Sequence, residues 1–301
     1  MKRWYGHRFH NVSALRMVFL TMRWTPRWVQ APMAMVTALI FYLMLSKERR
    51  AVERNLRRVT GRRGLALRWR VYRVFYSFCD LMVSYCFVPQ ASDEELLGML
   101  ADPERGAAVI DGCLAEGHGL IVWTAHLGNP EFASRLLELH GRPVNVARVV
   151  EDKPAERMLR ERMINPRLRI VNLKEGARAT IELLQALRRN EIVAIQGDRV
   201  FHPRHSARLP FFGAEAAFPL GPFLLAEAAG APLLPGFVVR ERWQHYRVLL
   251  GEPILTASTG NHEEDQHAAL RKAVGFLEAQ LKNYDDQWVN FFDFWPDHAL
   301  D

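Results

Sequence analysis

From residue 119 onward the apolar positions alternate between short continuous runs and helical stripes. Residues 120–124, LIVWT, form an unbroken apolar run rich in β-branched and aromatic side chains between Gly119 and the following turn. That is the pattern of a buried strand. From Pro130 the spacing changes: Phe132, Leu136, Leu137 and Leu139 share one helical face, Asn129 is a good N-cap, and Pro130 occupies a first position that needs no N–H. The alternation continues with a strand at 144–149, a helix at 154–163, a short strand at 169–171, a helix at 176–189 and a strand at 192–195. Further on, Pro219 starts a helix that Gly230 ends, residues 233–239 form a strand, and 246–250 pair back on it as a hairpin. Residues 262–282 form an amphipathic helix. Strand–helix alternation predicts an α/β fold with a mixed, largely parallel sheet flanked by helices. Active sites of such sheets lie beyond the carboxyl ends of the strands.

The N-terminal third reads differently. Residues 28–45, WVQAPMAMVTALIFYLML, hold only Gln30 and Thr37 as polar positions, with Arg23 and Arg27 before them and Lys47, Arg49 and Arg50 after. This is close to the shortest run that spans a bilayer. A cleaved leader would begin earlier and end at a small-residue site. A single membrane anchor, an interfacial helix and a buried apolar helix all fit the run. Residues 65–87 alternate arginines with Trp69, Tyr72, Phe75, Tyr76 and Phe78, as a long amphipathic helix does, and 92–116 fit two short helices. The aromatic face suits core packing, and the arginines suit a headgroup layer.

Charge sharpens that picture. The 301 residues carry a net charge of +7, and in 1–73 many Lys and Arg face only Glu48 and Glu53. Such a segment suits an anionic membrane surface, where each nearby cation contributes ~1 kcal/mol. No recognition helix, zinc spacing or RNA-binding aromatic motif supports a nucleic-acid partner. Cys79, Cys86 and Cys113 show neither a metal pattern nor an even disulfide framework, which points to a reducing compartment.

The candidate chemistry starts at His126, just past the 120–124 strand, with Glu131 five residues on in the first turn of the next helix. The turn Leu127-Gly128-Asn129 is short enough to bring them together. An imidazole facing a carboxylate is an acid–base pair, in which the carboxylate fixes the tautomer. On spacing alone, His126 reads equally well as a polar strand-end residue and Glu131 as a complement to the helix dipole. Arg148 and Asp198 also fall at predicted strand ends, so all three could converge on one crevice. Arg148 reads as an anion or carbonyl ligand or as a surface strand residue, and Asp198 as a site residue or a turn residue after Gly197. Arg199, His202, Arg204, His205 and Arg208 make a basic loop, a lid or an anion-binding rim, without metal spacing. No G-x-S-x-G elbow is present.

HLGNPE at 126–131 resembles the H-x4-D/E box of the glycerolipid acyltransferase superfamily, and within it the late acyltransferases of lipid A biosynthesis. RRAVERNL at 49–56 is similar to that branch's RR-x-V-x-x-NL segment. LPFFG at 209–213, LLAEAAGAPLLPGFVVRE at 224–241 and GEPI at 251–254 match its later boxes. The resemblance covers nearly the whole chain. It implies a basic, membrane-associated helical segment at 1–60 and an acyltransferase domain at 61–301. The implied reaction moves an acyl group from an acyl carrier protein or coenzyme A thioester to a hydroxyl of a lipid or glycolipid such as a lipid A precursor. His126 would be the general base and Glu131 its partner, with Arg148 and Asp198 binding substrate. Backbone N–H groups at Gly128 and Asn129 would hold the oxyanion. Phe211 and Phe212 would border the acyl groove or belong to the core. No metal or redox cofactor is implied. The expected setting is the inner membrane, with the catalytic domain facing the cytoplasm. Two departures bear on the acceptor. The tail QWVNFFDFW at 287–295 replaces QY-x-W-x-x-RRF and resembles relatives associated with aryl polyenes, and Pro130 replaces an aromatic residue. A non-catalytic lipid-binding relative and a thioesterase- or phospholipase-type hydrolase are the other classes compatible with these residues.

Overall fold

The computed structural model describes residues 25–150, 157, 167–201, 205–256 and 259–295. Strand β1 (Leu120–Thr124) lies inside a six-stranded sheet of order β3 (Leu168–Asn172), β2 (Val144–Arg148), β4 (Ile192–Gln196), β1, β7 (Leu233–Arg242), β8 (His245–Leu250). Every pairing is parallel except β7–β8, which is antiparallel. All five β1 residues are buried, as a strand covered on both faces requires.

The two faces of β1 enter different cores. Ile121 and Trp123 join Val193 and Ile195 under α7 (Ala177–Arg188), α8 (Gly221–Ala229) and α9 (His262–Tyr284). Leu120 and Val122 join Ala194 and Leu234 under α5 (Pro103–Ala115) and α6 (Pro130–Leu137). The mixed, largely parallel sheet flanked by helices is the architecture that the alternation predicts. Helix α6 is shorter than its apolar stripe suggests: it passes into a 3₁₀ turn at Glu138–His140, and Gly141 closes it with φ of 70°.

Residues 206–219 correct the sequence reading. They form a separate antiparallel hairpin, β5 (Ser206–Phe211) and β6 (Ala214–Pro219), where the spacing predicts no strand and places Arg208 in a basic loop. Its two-residue turn, Phe212-Gly213, has φ of 50° and 73°. Pro210 masks the strand signal, but a two-stranded ribbon leaves each strand an unpaired side where a missing N–H costs little. Pro219 ends β6, and α8 begins at Gly221. The helix expected at 154–163 lies outside the described residues apart from Arg157, as do His202 and Arg204.

Among the described residues, three N-terminal helices, α1 (Arg27–Met44), α2 (Ser46–Thr60) and α3 (Gly64–Phe87), precede α4 (Asp93–Gly98). Helices α1 and α2 meet at a 98° bend. Ala34 and Ala38 on α1 are buried with Val71, Val74 and Phe75 of α3, while Trp28, Val36, Leu39, Leu43 and Met44 remain exposed. An apolar helix with one packed and one bare apolar face is consistent with membrane association. Among the described residues α3 is the helix that is by itself long and apolar enough to cross a bilayer, though most of it is buried in the protein, and α1 reaches that length only together with α2 across their bend. Arg70 and Arg73 on α3 pair with Asp285 and Asp286 at distances from 2.6 to 3.5 Å, tying this layer to the turn after α9.

Candidate active site

Two glycines shape the site. At Gly128, φ is +74° and a Cβ would lie 2.0 Å from the Val238 carbonyl oxygen, so the turn after β1 can pass against β7 only with glycine. Asn129 then donates its backbone N–H to that carbonyl at 2.7 Å, and its Oδ1 caps α6 by accepting the Phe132 N–H at 3.0 Å. At Gly197 a Cβ would lie 1.8 Å from Trp123 Nε1. The chain leaving β4 therefore crosses directly over the Trp123 indole and delivers Asp198 beside His126.

His126 and Asp198 form a dyad, with the carboxylate fully buried and the imidazole 22% exposed. The His126 Nδ1 lies 2.7 Å from Asp198 Oδ1, and the His126 backbone N–H donates to Oδ2 at 3.1 Å. The paired His126 and the neighbouring Arg199 hold the Asp198 carboxyl well below the usual range, outweighing its burial. An ionised carboxylate only accepts, so Nδ1 carries the proton and Nε2 is the basic nitrogen. For His126, burial lowers the pKa most and the charge of Arg199 adds to it. Asp198 opposes the shift, and the net effect keeps the imidazole neutral near pH 7.

Glu131 is not the carboxylate on His126 Nδ1, as the five-residue spacing suggested. It accepts a short hydrogen bond from the Tyr85 hydroxyl of α3. Burial raises its pKa, partly offset by the charge of Arg148. The reason is geometric. Helix α6 starts two residues beyond a glycine turn pinned to β7, which aims its first turn toward α3, and β4 brings Asp198 to the ring from the other side. Arg148, at the end of β2, is close enough for its charge to act on both Glu131 and His126.

His126, Glu131, Tyr85 and Arg148 all line one cavity of about 850 Å³. The rest of its lining is mostly apolar, with Leu81 of α3, Ile110 of α5, Leu137 of α6, Val146 of β2, Leu234 of β7 and Val248 of β8, and also includes Glu104, Ser134 and the His140–Asp111 pair. It follows α6 and the 3₁₀ turn after it from Pro130 to His140, roughly 15 Å at about 1.5 Å per residue. A hydrocarbon chain fits such a space, with its polar end at the imidazole. Among the described residues, no group of three or more His, Cys, Asp or Glu side chains could hold a metal ion.

Comparison with known proteins places this arrangement. The sequence profile of the bacterial lipid A biosynthesis acyltransferases matches residues 8–296. The chain belongs to that family. It is also 31% identical over 154 residues to the phosphatidylinositol mannoside acyltransferase of Mycobacterium tuberculosis, in two strains. That match covers 49% of this chain and 47% of the relative, so the chain spans about half the length of the curated relatives it matches.

Two expectations change at the site, and a third that the sequence left open is decided. The backbone N–H groups of Gly128 and Asn129 are committed to the carbonyls of Gln287 (3.0 Å) and Val238 (2.7 Å), which leaves them no hydrogen for an oxyanion. Phe211 is fully buried in an aromatic core with Phe218, Trp288, Phe294 and Trp295, and Phe212 packs against that core, so neither borders the cavity. Asp198 sits behind His126 and not among the cavity-lining residues, so it meets the ring and not the substrate. Tyr85, Trp288 and Asn290 are the polar residues at the site that spacing could not reveal, because each arrives from a distant part of the chain.

Proposed function

We propose that this protein moves an acyl group from a carrier thioester to a hydroxyl of a membrane lipid or glycolipid. The carrying observation is the His126 imidazole, held through Nδ1 by Asp198 at 2.7 Å, on the wall of a cavity of about 850 Å³ whose lining is mostly apolar. His126 Nε2 takes the acceptor hydroxyl proton as the oxygen attacks the thioester carbonyl. The tetrahedral intermediate collapses, the C–S bond breaks, and the imidazolium returns its proton to the departing thiolate. Arg148 is the cation placed to bind the donor phosphate, an anionic acceptor or the developing oxyanion. Family membership supports a lipid acceptor, and the similarity to a phosphatidylinositol mannoside enzyme supports a glycolipid such as a lipid A precursor. The donor is acyl carrier protein or coenzyme A. The bare apolar face of α1 and the basic residues beside it support a seat on the cytoplasmic side of the inner membrane.

The test is an assay of the full chain with labelled long-chain acyl carrier protein, acyl-coenzyme A and total membrane lipid. Labelled acyl lipid is the expected product, and its mass identifies the acceptor. Free fatty acid alone would establish a hydrolase, and lipid binding without turnover a binding protein. Because His126 must be neutral to act, kcat/KM should rise with pH and level off, with an apparent pKa below the ordinary 6.5. A midpoint at or above that value would contradict the described site.

The cavity wall makes a second prediction. Gly106 lies in α5, where glycine costs about 1 kcal/mol relative to alanine, and a Cβ there would face Val248 at 3.5 Å and Leu250 at 3.7 Å. Gly106→Leu should fill the space between α5 and β8 without unfolding the helix. Offered mixed chain lengths, the variant should shift its products toward shorter acyl groups. An unchanged product distribution would place the acyl chain elsewhere.

A further inference from the structure

The segment Gln287–Asn290, which follows α9, runs along the back of the dyad. Val289 donates its backbone N–H to the His126 carbonyl at 2.8 Å, and the Gln287 carbonyl accepts the Gly128 N–H at 3.0 Å. Trp288 Nε1–H and Asn290 Nδ2 both donate to Asp198 Oδ2, at 3.1 and 3.3 Å. Arg199 donates to Asn290 Oδ1 at 2.9 Å and to the Val289 carbonyl at 2.8 Å. One short segment thus grips the backbone of the base and the carboxylate of its partner.

The segment is itself held from two sides. The Gln287 side chain exchanges two 2.8 Å hydrogen bonds with the backbone of Arg240 on β7. From α2, buried Asn55 donates to the carbonyls of Asn290 (3.3 Å) and Phe292 (2.8 Å) and accepts the Phe294 N–H at 3.0 Å. Beside it, Arg54 pairs with Asp293 through two contacts of 2.5 and 2.9 Å. Asn55 is the asparagine of the RRAVERNL segment, whose role the chemistry at His126 had not explained.

We propose that the strap Gln287–Asn290, locked in place by Asn55 of α2, is a positioning element that fixes Asp198 and His126 for proton transfer. Trp288, Asn290 and Asn55 are positioning residues, and the N-terminal helical layer is part of the catalytic apparatus as well as a candidate membrane seat. With Oδ2 saturated by three donors, Asp198 can turn only Oδ1 to the imidazole. Those donors also spread its charge, which limits how strongly it holds the imidazolium proton. The other charges acting on the ring are Arg199 beside Asp198 and Arg148 of β2, and Glu131 of α6 with its partner Tyr85 of α3 lines the same cavity.

The inference rests on His126 as the base, so its test reads the ring directly as well as turnover. Trp288→Phe keeps the aromatic ring in its cluster and removes the N–H. The Asp198 charge then concentrates, and His126 should titrate at higher pH than in wild type by imidazole NMR of the full chain. In the acyl-transfer assay, kcat should fall roughly tenfold, the worth of one hydrogen bond to a charged group, with the donor KM unchanged. Asn290→Ala should act in the same direction, because it also loosens Arg199, and it carries the test if the Trp288 variant does not fold. Asn55→Ala should reproduce a smaller shift from a distance. A folded Trp288 or Asn290 variant with wild-type titration and kcat would overturn the proposal. A shifted titration alongside a wild type that transfers no acyl group would retain the strap and reject the acyltransferase reading.

Discussion

His126→Ala is expected to lower the acyl-transfer rate by ~10²–10⁴, the range supplied by a positioned general base. The loss should appear in single-turnover measurements with saturating donor, because the cavity that holds the acyl chain is otherwise intact. Donor KM should therefore stay near wild type while kcat collapses. Removing the imidazole leaves Asp198 buried beside Arg199 without its main partner, so a melting curve is needed to separate lost chemistry from lost fold. A folded variant with wild-type turnover would remove His126 from the mechanism.

The second large effect separates the two carboxylates. Asp198→Asn should cost ~10²–10⁴ in kcat, because an amide can donate to Nδ1 and leave Nε2 protonated, which is the wrong tautomer for a base. Glu131→Gln should cost at least tenfold less. The Glu131 carboxylate is bonded to the Tyr85 hydroxyl, and glutamine keeps an acceptor for that hydroxyl. The charge of Arg148 acts on Glu131, so the Glu131 variant should alter KM for an anionic substrate more than kcat. The reverse ranking, with Glu131→Gln the more damaging, would restore Glu131 as the partner of the base. Measuring both variants in one assay decides between them, because each replaces one carboxylate by its amide, and Asp198 is hydrogen-bonded to the ring whereas Glu131 is hydrogen-bonded to Tyr85.

Local pattern was a good guide to elements whose burial is encoded within a few residues. LIVWT is a central strand because all five side chains are buried, and Asn129-Pro130 starts α6 because its capping chemistry is local. The apolar stripe of α9 and the length of α3 were legible for the same reason. The β5–β6 hairpin was not, since Pro210 and the positive φ of Phe212 are tolerated by a two-stranded ribbon whose existence depends on packing against α9 and the aromatic core. At the site, His126, Arg148 and Asp198 were found at strand ends, where parallel topology brings separated residues together.

The sequence by itself determined the strand–helix alternation, the family, the candidate base and the apolar N-terminal helix, since each is written in local spacing or in contiguous motifs. Only the tertiary structure decided which carboxylate serves His126 and which backbone amides are already committed. It also decided which aromatics are core and how residues 287–290 meet Asn55. Those outcomes depend on contacts between residues 46 to 239 positions apart. A hydrogen bond of 2.7 Å is satisfied or lost over less than an ångström. Spacing along the chain cannot resolve such a difference, whereas glycine turns pressed against β7 and Trp123 do.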